Sequence, residues 1–483
     1  MKTINLPPFA PTLMESTRAI GYSLEAAIAD IIDNSITAQA SSINIEFFPI
    51  GSPYISILDN GTGMSGDELN IAMQYGSKSP NEKRADNDLG RFGLGLKTAS
   101  LSQCRTLSVV SIKDGEISGR RWDVDYVLQA EDWSLIILED DDIRQMPQFS
   151  KLMECGNGTL VVWQNLDRLS IGESDFVTSF GLKMDIVREH VALVFHRFLS
   201  GEPGIKKIEL LINNSKVKPA DPFILKKSTQ FMDDEFIKVR GQSVIIRPYI
   251  LPHISKLSES EMKELGGKEG LRKKQGFYVY RNKRLLIWGT WFRLMRQGEL
   301  SKLARVQVDI PNSLDDLWTL DIKKSTAVPP EEVRKNLGIV IDKIAQGSKR
   351  TWTYRGKKET DDSKIHIWNR LKTRDNGIVY EINRDYPLLD QIKKSNPHLS
   401  KLLEPLLVQI EGNLPLNSLY IDLTSDEKIE NDVKVSEATA IELLNQLLSV
   451  CRNDLEREEL LERLRFTEPF TDFQVVIEKK LKG

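Results

Sequence analysis

Asp30, Asp33, Asn34 and Thr37 are spaced so that all four fall on one face of a helix, while Leu24, Ala27, Ile28, Ile31, Ile32 and Ile36 take the opposite face. A polar stripe of this kind has two chemical uses. A carboxylate within hydrogen-bond reach of a water can take its proton, and a side-chain amide oxygen suits a hard cation that keeps several waters. Two glycine turns follow, "GTGMSG" at Gly61 to Gly66 and "GRFGLGLKT" at Gly90 to Thr98. Each can bring backbone N–H groups against a ligand, and the second opens the helix "LKTASLS", whose N-terminus favours an anion. Taken one at a time, the glycines are equally well explained as tight turns.

Neither turn fits a familiar phosphate loop when read alone. "GTGMSG" satisfies the G-x-G-x-x-G pattern of dinucleotide sites, but that turn belongs after the first strand of its unit, and here a polar-striped helix and another strand precede it. "GRFGLGLKT" nearly satisfies the Walker A pattern. Leu96 stands where lysine must directly follow the last glycine, which displaces Lys97 by one residue.

The elements that must position these residues are legible around them. The apolar period predicts a helix over Leu24 to Ile36, then the strands "SINIEFF" and "YISILD" joined by the turn "PIGSP". Residues 76 to 90 are polar and turn-rich and predict a mobile loop. "TLSVVSI", "WSLIIL" and "GTLVVWQNL" predict further strands, and "FGLKMDIVREHVALVFHRFLSG" a closing helix near residue 200. A second region begins with "KKIELLINN" and "SVIIRPYIL" and contains the strand, turn and strand "QGFYVYRNKRLLIWG". The tail carries a helical period through Ile441, Leu444, Leu447, Leu448, Leu455 and Leu464. We expect an α+β protein in three parts: 1–203, a smaller α+β domain at 204–350, and a mainly helical region at 351–483 offering a dimer or partner surface.

Composition narrows the classes further. With 483 residues, 66 Lys plus Arg and 69 Asp plus Glu, the net charge is −3, which argues against a wholly basic nucleic-acid binder but not against a local basic face. Cys104, Cys155 and Cys451 are far apart and form no CxxC or Cys/His cluster, so they read as small buried apolar residues in a reducing cytoplasm. No apolar stretch is long enough to predict a membrane span or a secretion signal.

The order of the motifs is more specific than its parts. "DIIDNS" on a helix, "LDNGTGMS", "GRFGLGLKTAS" and "NGTLVVW" together resemble the GHKL ATP-binding family of gyrase, the large heat-shock chaperone, histidine kinases and MutL, across about residues 10 to 200. The resemblance implies a Bergerat-type ATP-binding α/β sandwich with ATP and Mg²⁺ as cofactors. It implies that Asn34 binds Mg²⁺, with Asp33 beside it, and that Asp59 accepts the adenine amino group, with Gly61, Gly63 and Met64 against the ring. By the same resemblance Gly90, Arg91, Phe92, Gly93, Leu94, Gly95 and Leu96 form the lid over the phosphates. Lys97 and Thr98 then supply charge and donors, and Thr159 closes the adenine pocket.

One departure matters. The family's general base is usually a glutamate one turn before the magnesium asparagine, and Asp30 stands there instead, one methylene shorter. A loss of about 1 Å of reach can slow a reaction on the order of a hundredfold. Asp33 is the fallback base. His190 and His196 follow the ATP motifs among apolar neighbours and read as packing residues, so no phosphoacceptor helix is expected.

"YGSKS" and "GFYVYRNKRLLIWGTW" resemble the lid entry and the transducer strands of the MORC and MutL branches. In those relatives a transducer lysine reaches the γ-phosphate, and Lys323 or Lys324 in "WTLDIKKSTAVPPEEVRKNL" lies where such a loop is expected. The implied function is an ATPase acting as a nucleotide-dependent switch or clamp that homodimerises, works with unidentified protein partners, and acts on double-stranded DNA in repair or antiviral defence. The basic clusters Lys206/Lys207, Lys226/Lys227, Arg272 to Lys274 and Lys283/Arg284 are the candidate DNA face. The alternatives are a non-hydrolysing ATP-binding regulatory module, favoured by Asp30, and a heat-shock-type chaperone.

Overall fold

A computed structural model describes, with short gaps, residues 3–76, 95–314, 329–341, 365–416 and 436–481. The chain divides into two compact units, Met1–Trp352 and Thr353–Gly483.

The first unit opens with the helices α1 (Ala10–Arg18) and α2 (Leu24–Thr37), then the hairpin β1 (Ser42–Phe48) and β2 (Tyr54–Asp59). The helix α3 (Gly66–Met73) starts at a capping box in which Ser65 and Glu68 satisfy each other's backbone N–H groups. After α4 (Gly95–Leu101) come β3 (Thr106–Lys113), β4 (Glu116–Asp123), β5 (Ile136–Ile137), β6 (Gly158–Gln164), β7 (Glu209–Ile212) and β8 (Ser215–Lys216). They form one sheet in the order β5-β4-β3-β6-β2-β1-β7-β8, antiparallel except where β1 meets β7.

The apolar face of α2 packs on this sheet with the long helix Phe176–Val194: Ile28, Ile32, Ile43, Ile45, Val109, Trp163, Phe180 and Val187 share one buried cluster. Leu58, Val110, Ile112, Leu160 and Val162 point to the other face, where Ile143 and Leu152 cover them. β3 and β6 are thus buried on both sides, and they read as continuous β-branched runs for that reason.

A second sheet follows in the same unit: β9 (Thr229–Gln230), β10 (Glu235–Val239), β11 (Gln242–Ile250), β12 (Gly276–Arg281), β13 (Arg284–Thr290) and β14 (Ala304–Ile310), in the order β10-β11-β14-β12-β13 with β9 beside β11. β12 and β13 are joined by Asn282 and Lys283, both at positive φ, as a two-residue hairpin turn requires. In the second unit, β15 (Trp368–Lys372) pairs with β16 (Ile378–Ile382), and the other described residues are mainly helical, with Leu444, Leu447, Leu460, Leu464, Phe470 and Ile477 in one core. The α+β class is as expected.

Several details differ from the expectation. "KKIELLINN" does not head the second sheet: buried Leu210 and Ile212 bring β7 alongside β1, where its backbone extends the first sheet. "WSLIIL" yields only the two residues of β5, and neither β4 nor β14 is among the strands expected above. Only Cys104 of the three thiols is buried; Cys155 is exposed and Cys451 intermediate. Among the described residues no helix is long and apolar enough to cross a membrane.

Candidate functional site

Asp59 ends β2 on the sheet's helix-covered side, almost wholly buried. Ser35 Oγ of α2 donates to its Oδ2 at 2.7 Å and the backbone N–H of Gly61 to its Oδ1 at 2.9 Å. The Thr159 backbone supports the carboxylate as well, since β6 lies directly beside β2 with Thr159 opposite Asp59. Burial nonetheless raises the Asp59 pKa above the ordinary carboxylate value, and these hydrogen bonds only partly offset it. A carboxylate offers about four acceptor sites, so three donors leave room for one more. An exocyclic amino group is such a donor.

The turn after Asp59 is fixed from two directions. Asn60 Oδ1 accepts from the backbone N–H groups of Ser41 and Ser42, and its Nδ2 donates to Ser41 Oγ. Gly63, at φ +68°, lies so close to β3 that a Cβ there would stand 2.0 Å from the Ile112 carbonyl oxygen. On the next residue, the Met64 N–H donates to Ser111 Oγ at 2.9 Å, and that hydroxyl also meets Thr159 Oγ1 at 2.9 Å. Met64 and Thr159, singled out from the sequence, are thereby brought together through Ser111. Ser35, Asn60 and Ser111 were missed. The first two stand directly after Asn34 and Asp59, so adjacency was the available signal.

On α2, Asp30 is buried, and a Cβ on Gly95 would lie 3.5 Å from its Oδ2, so the start of α4 passes directly over this carboxylate. Asn34, one turn on, is exposed. Asp33 has a different task from the one expected. The Arg284 guanidinium, at the start of β13, places Nε 3.1 Å from both Asp33 carboxylate oxygens, and both side chains are buried. Asp33 is therefore committed to an ion pair and not free to act as a base. Arg284, for its part, is withdrawn from the surface and belongs to no DNA-facing cluster.

Lys97 also differs. Its buried ammonium donates to the carbonyls of Ala72 and Gln74, both at 2.9 Å, at the C-terminal end of α3, instead of projecting toward a phosphate. Burial lowers its pKa to about 8. Thr98 is buried behind it and Leu96 packs on the core. Gly90, Arg91, Phe92, Gly93 and Leu94 lie outside the described residues, as do the rest of 77–94 and the lysines Lys323 and Lys324.

The histidines pack as expected. His196 is buried with Nε2 2.7 Å from Tyr280 Oη, and His190 sits against the Trp288 ring. Of the basic clusters, Lys206, Lys207, Lys226, Lys227, Arg272 and Lys273 are exposed, although Lys227 pairs with Glu261 at 2.8 Å and Lys273 with Glu269 at 3.1 Å.

Comparison with known proteins bears directly on this site. Residues 22–159 match the family model described as histidine kinase-, DNA gyrase B-, and HSP90-like ATPase. The chain is 32% identical over 94 residues to the ATPase morc-1 of Caenorhabditis elegans, covering 19% of this chain and 11% of that protein. It is 27% identical over 207 residues to the DNA mismatch repair protein MutL of Thermosipho melanesiensis, covering 41% of this chain and 33% of that one. The chain thus spans a third or less of the length of these two relatives. A crystal structure of the N-terminal domain of a DNA repair protein aligns with 71% of this chain and 99% of its own at 16% identity and a TM-score of 0.44. The family match runs from just before α2 to the first residues of β6, the stretch that builds the Asp59 edge, and over it the chain is similar to the histidine kinase-, DNA gyrase B-, and HSP90-like ATPase family.

Proposed function

We propose that the chain is a Mg²⁺-dependent ATPase that works as a slow conformational switch on DNA. The observation that carries this reading is the buried Asp59 carboxylate, held by Ser35 and Gly61 with acceptor capacity to spare. Asp59 selects adenine by accepting its amino group. Gly61 and Gly63 would let the backbone approach the ring without a Cβ in the way, and Thr159, hydrogen-bonded to Ser111, would close the adenine pocket.

The residues present fit a magnesium ion held in the manner typical of nucleotide sites. Such an ion keeps most of its waters and takes one or two protein ligands plus the phosphates, so it needs no cage of carboxylates. Asn34 offers an exposed amide oxygen one turn from Asp30. Magnesium, when bound with ATP, neutralises phosphate charge and orients the terminal phosphoryl group. Asp30 takes the proton of the attacking water, and its short side chain makes turnover slow.

DNA as the partner is supported by the mismatch-repair relative and by the exposed lysines of the second region, while nucleotide-dependent dimerisation and a γ-phosphate contact from Lys323 or Lys324 are parts of the same reading that rest on the sequence resemblance. The test is ATP binding and hydrolysis by the full chain with Mg²⁺, with and without double-stranded DNA, beside Asp30→Asn and Asp59→Asn. Loss of binding in Asp59→Asn, loss of turnover in Asp30→Asn and stimulation by DNA are the expected results. Aspartate at position 30 favours a second reading, a regulatory module that holds ATP without hydrolysing it. Binding without turnover in the wild type selects that one.

A further inference from the structure

Among the described residues, Arg284 of the second sheet reaches the polar side of the nucleotide helix directly. Arg284 begins β13, its Nε lies 3.1 Å from each oxygen of Asp33, one terminal nitrogen donates to the Leu285 carbonyl at 3.1 Å, and the guanidinium carbon stands 5.8 Å from the centre of the Phe195 ring. Asp33 is the residue before Asn34 and lies one turn after Asp30. Both partners of the pair are buried, so the pairing is far more demanding in geometry than a surface ion pair and strongly penalises separation.

We propose that Arg284 is a positioning residue of the nucleotide site: by clamping Asp33 it sets the rotation of α2 that presents Asn34 to the magnesium–phosphate group and Asp30 to water, and it makes the placement of the second sheet a determinant of nucleotide affinity. The inference rests on the ATP reading above and deepens it. Its physical basis is that a helix held on its apolar side by packing alone retains some rotational play. A charged pair on the polar side removes that play. Because coupling between sites is reciprocal, whatever moves β13 changes affinity at Asn34, and nucleotide bound at Asn34 biases β13. Adenine recognition leans less on this pair, since the Asp59 carboxylate also accepts from the Gly61 backbone and the turn after it is held by Asn60 and Ser111, none of which lies on α2.

The experiment is calorimetric titration of the full chain with ATP, in excess EDTA and at increasing Mg²⁺, for wild type, Arg284→Lys and the double variant Asp33→Asn/Arg284→Gln. The double variant removes both buried charges at near-constant size and allows a neutral hydrogen bond, whereas Arg284→Gln alone takes the cation away from a buried carboxylate. Circular dichroism and thermal melting report the fold.

In the wild type, Mg²⁺ is expected to strengthen ATP binding. In the folded double variant the Mg²⁺-free affinity is expected to stay within about twofold, while the strengthening by Mg²⁺ falls at least about fivefold, with Arg284→Lys in between. A folded double variant with the full Mg²⁺ response overturns the proposal and leaves the ATP reading standing, as does a wild type that binds ATP with no response to Mg²⁺. A wild type that binds no ATP, alone and with Asp59→Asn as control, removes the ATP reading and the proposal with it.

Discussion

Gly63 carries a φ of +68° directly beneath a carbonyl of β3, and a methyl group there would stand 2.0 Å from the Ile112 oxygen. Either the turn or the strand must give way. Gly63→Ala is therefore expected to cost about 3 kcal/mol or more, seen as a large drop in urea midpoint. Gly115→Ala is the matched control: its φ is +84° but nothing lies within 4 Å of the added carbon, so only backbone strain of about 1–2 kcal/mol is expected. Equal losses at the two positions would remove the argument from close approach. A second residue-level prediction concerns His190 and His196, which burial keeps neutral down to about 4 and about 3. In the unfolded chain both take up protons below about 6.5, so the unfolded state binds more protons throughout that window. Their contribution is complete above about pH 6.5 and is lost as pH falls toward 4. The melting temperature should decline over that range, and His196→Gln should flatten the decline.

The elements explain which parts of this site were legible in the sequence. α2, β1, β2, β3 and β6 were read correctly because their apolar periods are long and their faces unmixed, and the site residues lie on the polar face of α2 and near the ends of β2, β3 and β6. β4, "EISGRRWD", alternates only weakly because its Arg120 and Arg121 are half-buried and find partners in Asn70 and Ser108. β7 was legible as a strand but not as a neighbour of β1, since pairing across more than 160 residues of chain leaves no local trace. The roles of Asp33 and Lys97 were missed for the same reason. Their partners are Arg284, 251 residues away, and the end of α3, and a charged residue inside a motif looks identical whether it faces a ligand or a neighbouring element. Lys97 ties α4 to α3, so Lys97→Ala should leave two carbonyls without their donor and destabilise the fold by about 2–4 kcal/mol. Loss of ATP affinity in proportion to that instability, recovered by a stabilising osmolyte, is the expected pattern. An affinity loss in a fully folded variant would restore the phosphate role.

At the scale of the molecule, all the residues gathered around Asp59, together with the second sheet and Arg284, lie within Met1–Trp352. A chain ending at residue 352 is expected to fold, and to bind ATP within about twofold of the full chain. Calorimetry and circular dichroism would show this, and loss of binding would assign the remaining helical unit a direct part in the site. If the exposed lysines of the second region meet DNA, the logarithm of affinity should fall linearly with that of salt concentration, with a slope of about 0.9 for each phosphate that a lysine neutralises. A flat response in fluorescence anisotropy would leave those lysines as ordinary solvated charges. The turn that follows Asp59 has a kinetic meaning as well. With Asn60 holding Ser41 and Ser42, and Ser111 holding Met64, the edge proposed to meet the base is held in one arrangement by its own hydrogen bonds. A template of this kind requires little ordering at the moment of encounter. At this edge, capture of the base should therefore be limited by diffusion and orientation, and discrimination among nucleotides should be expressed in how long each one stays.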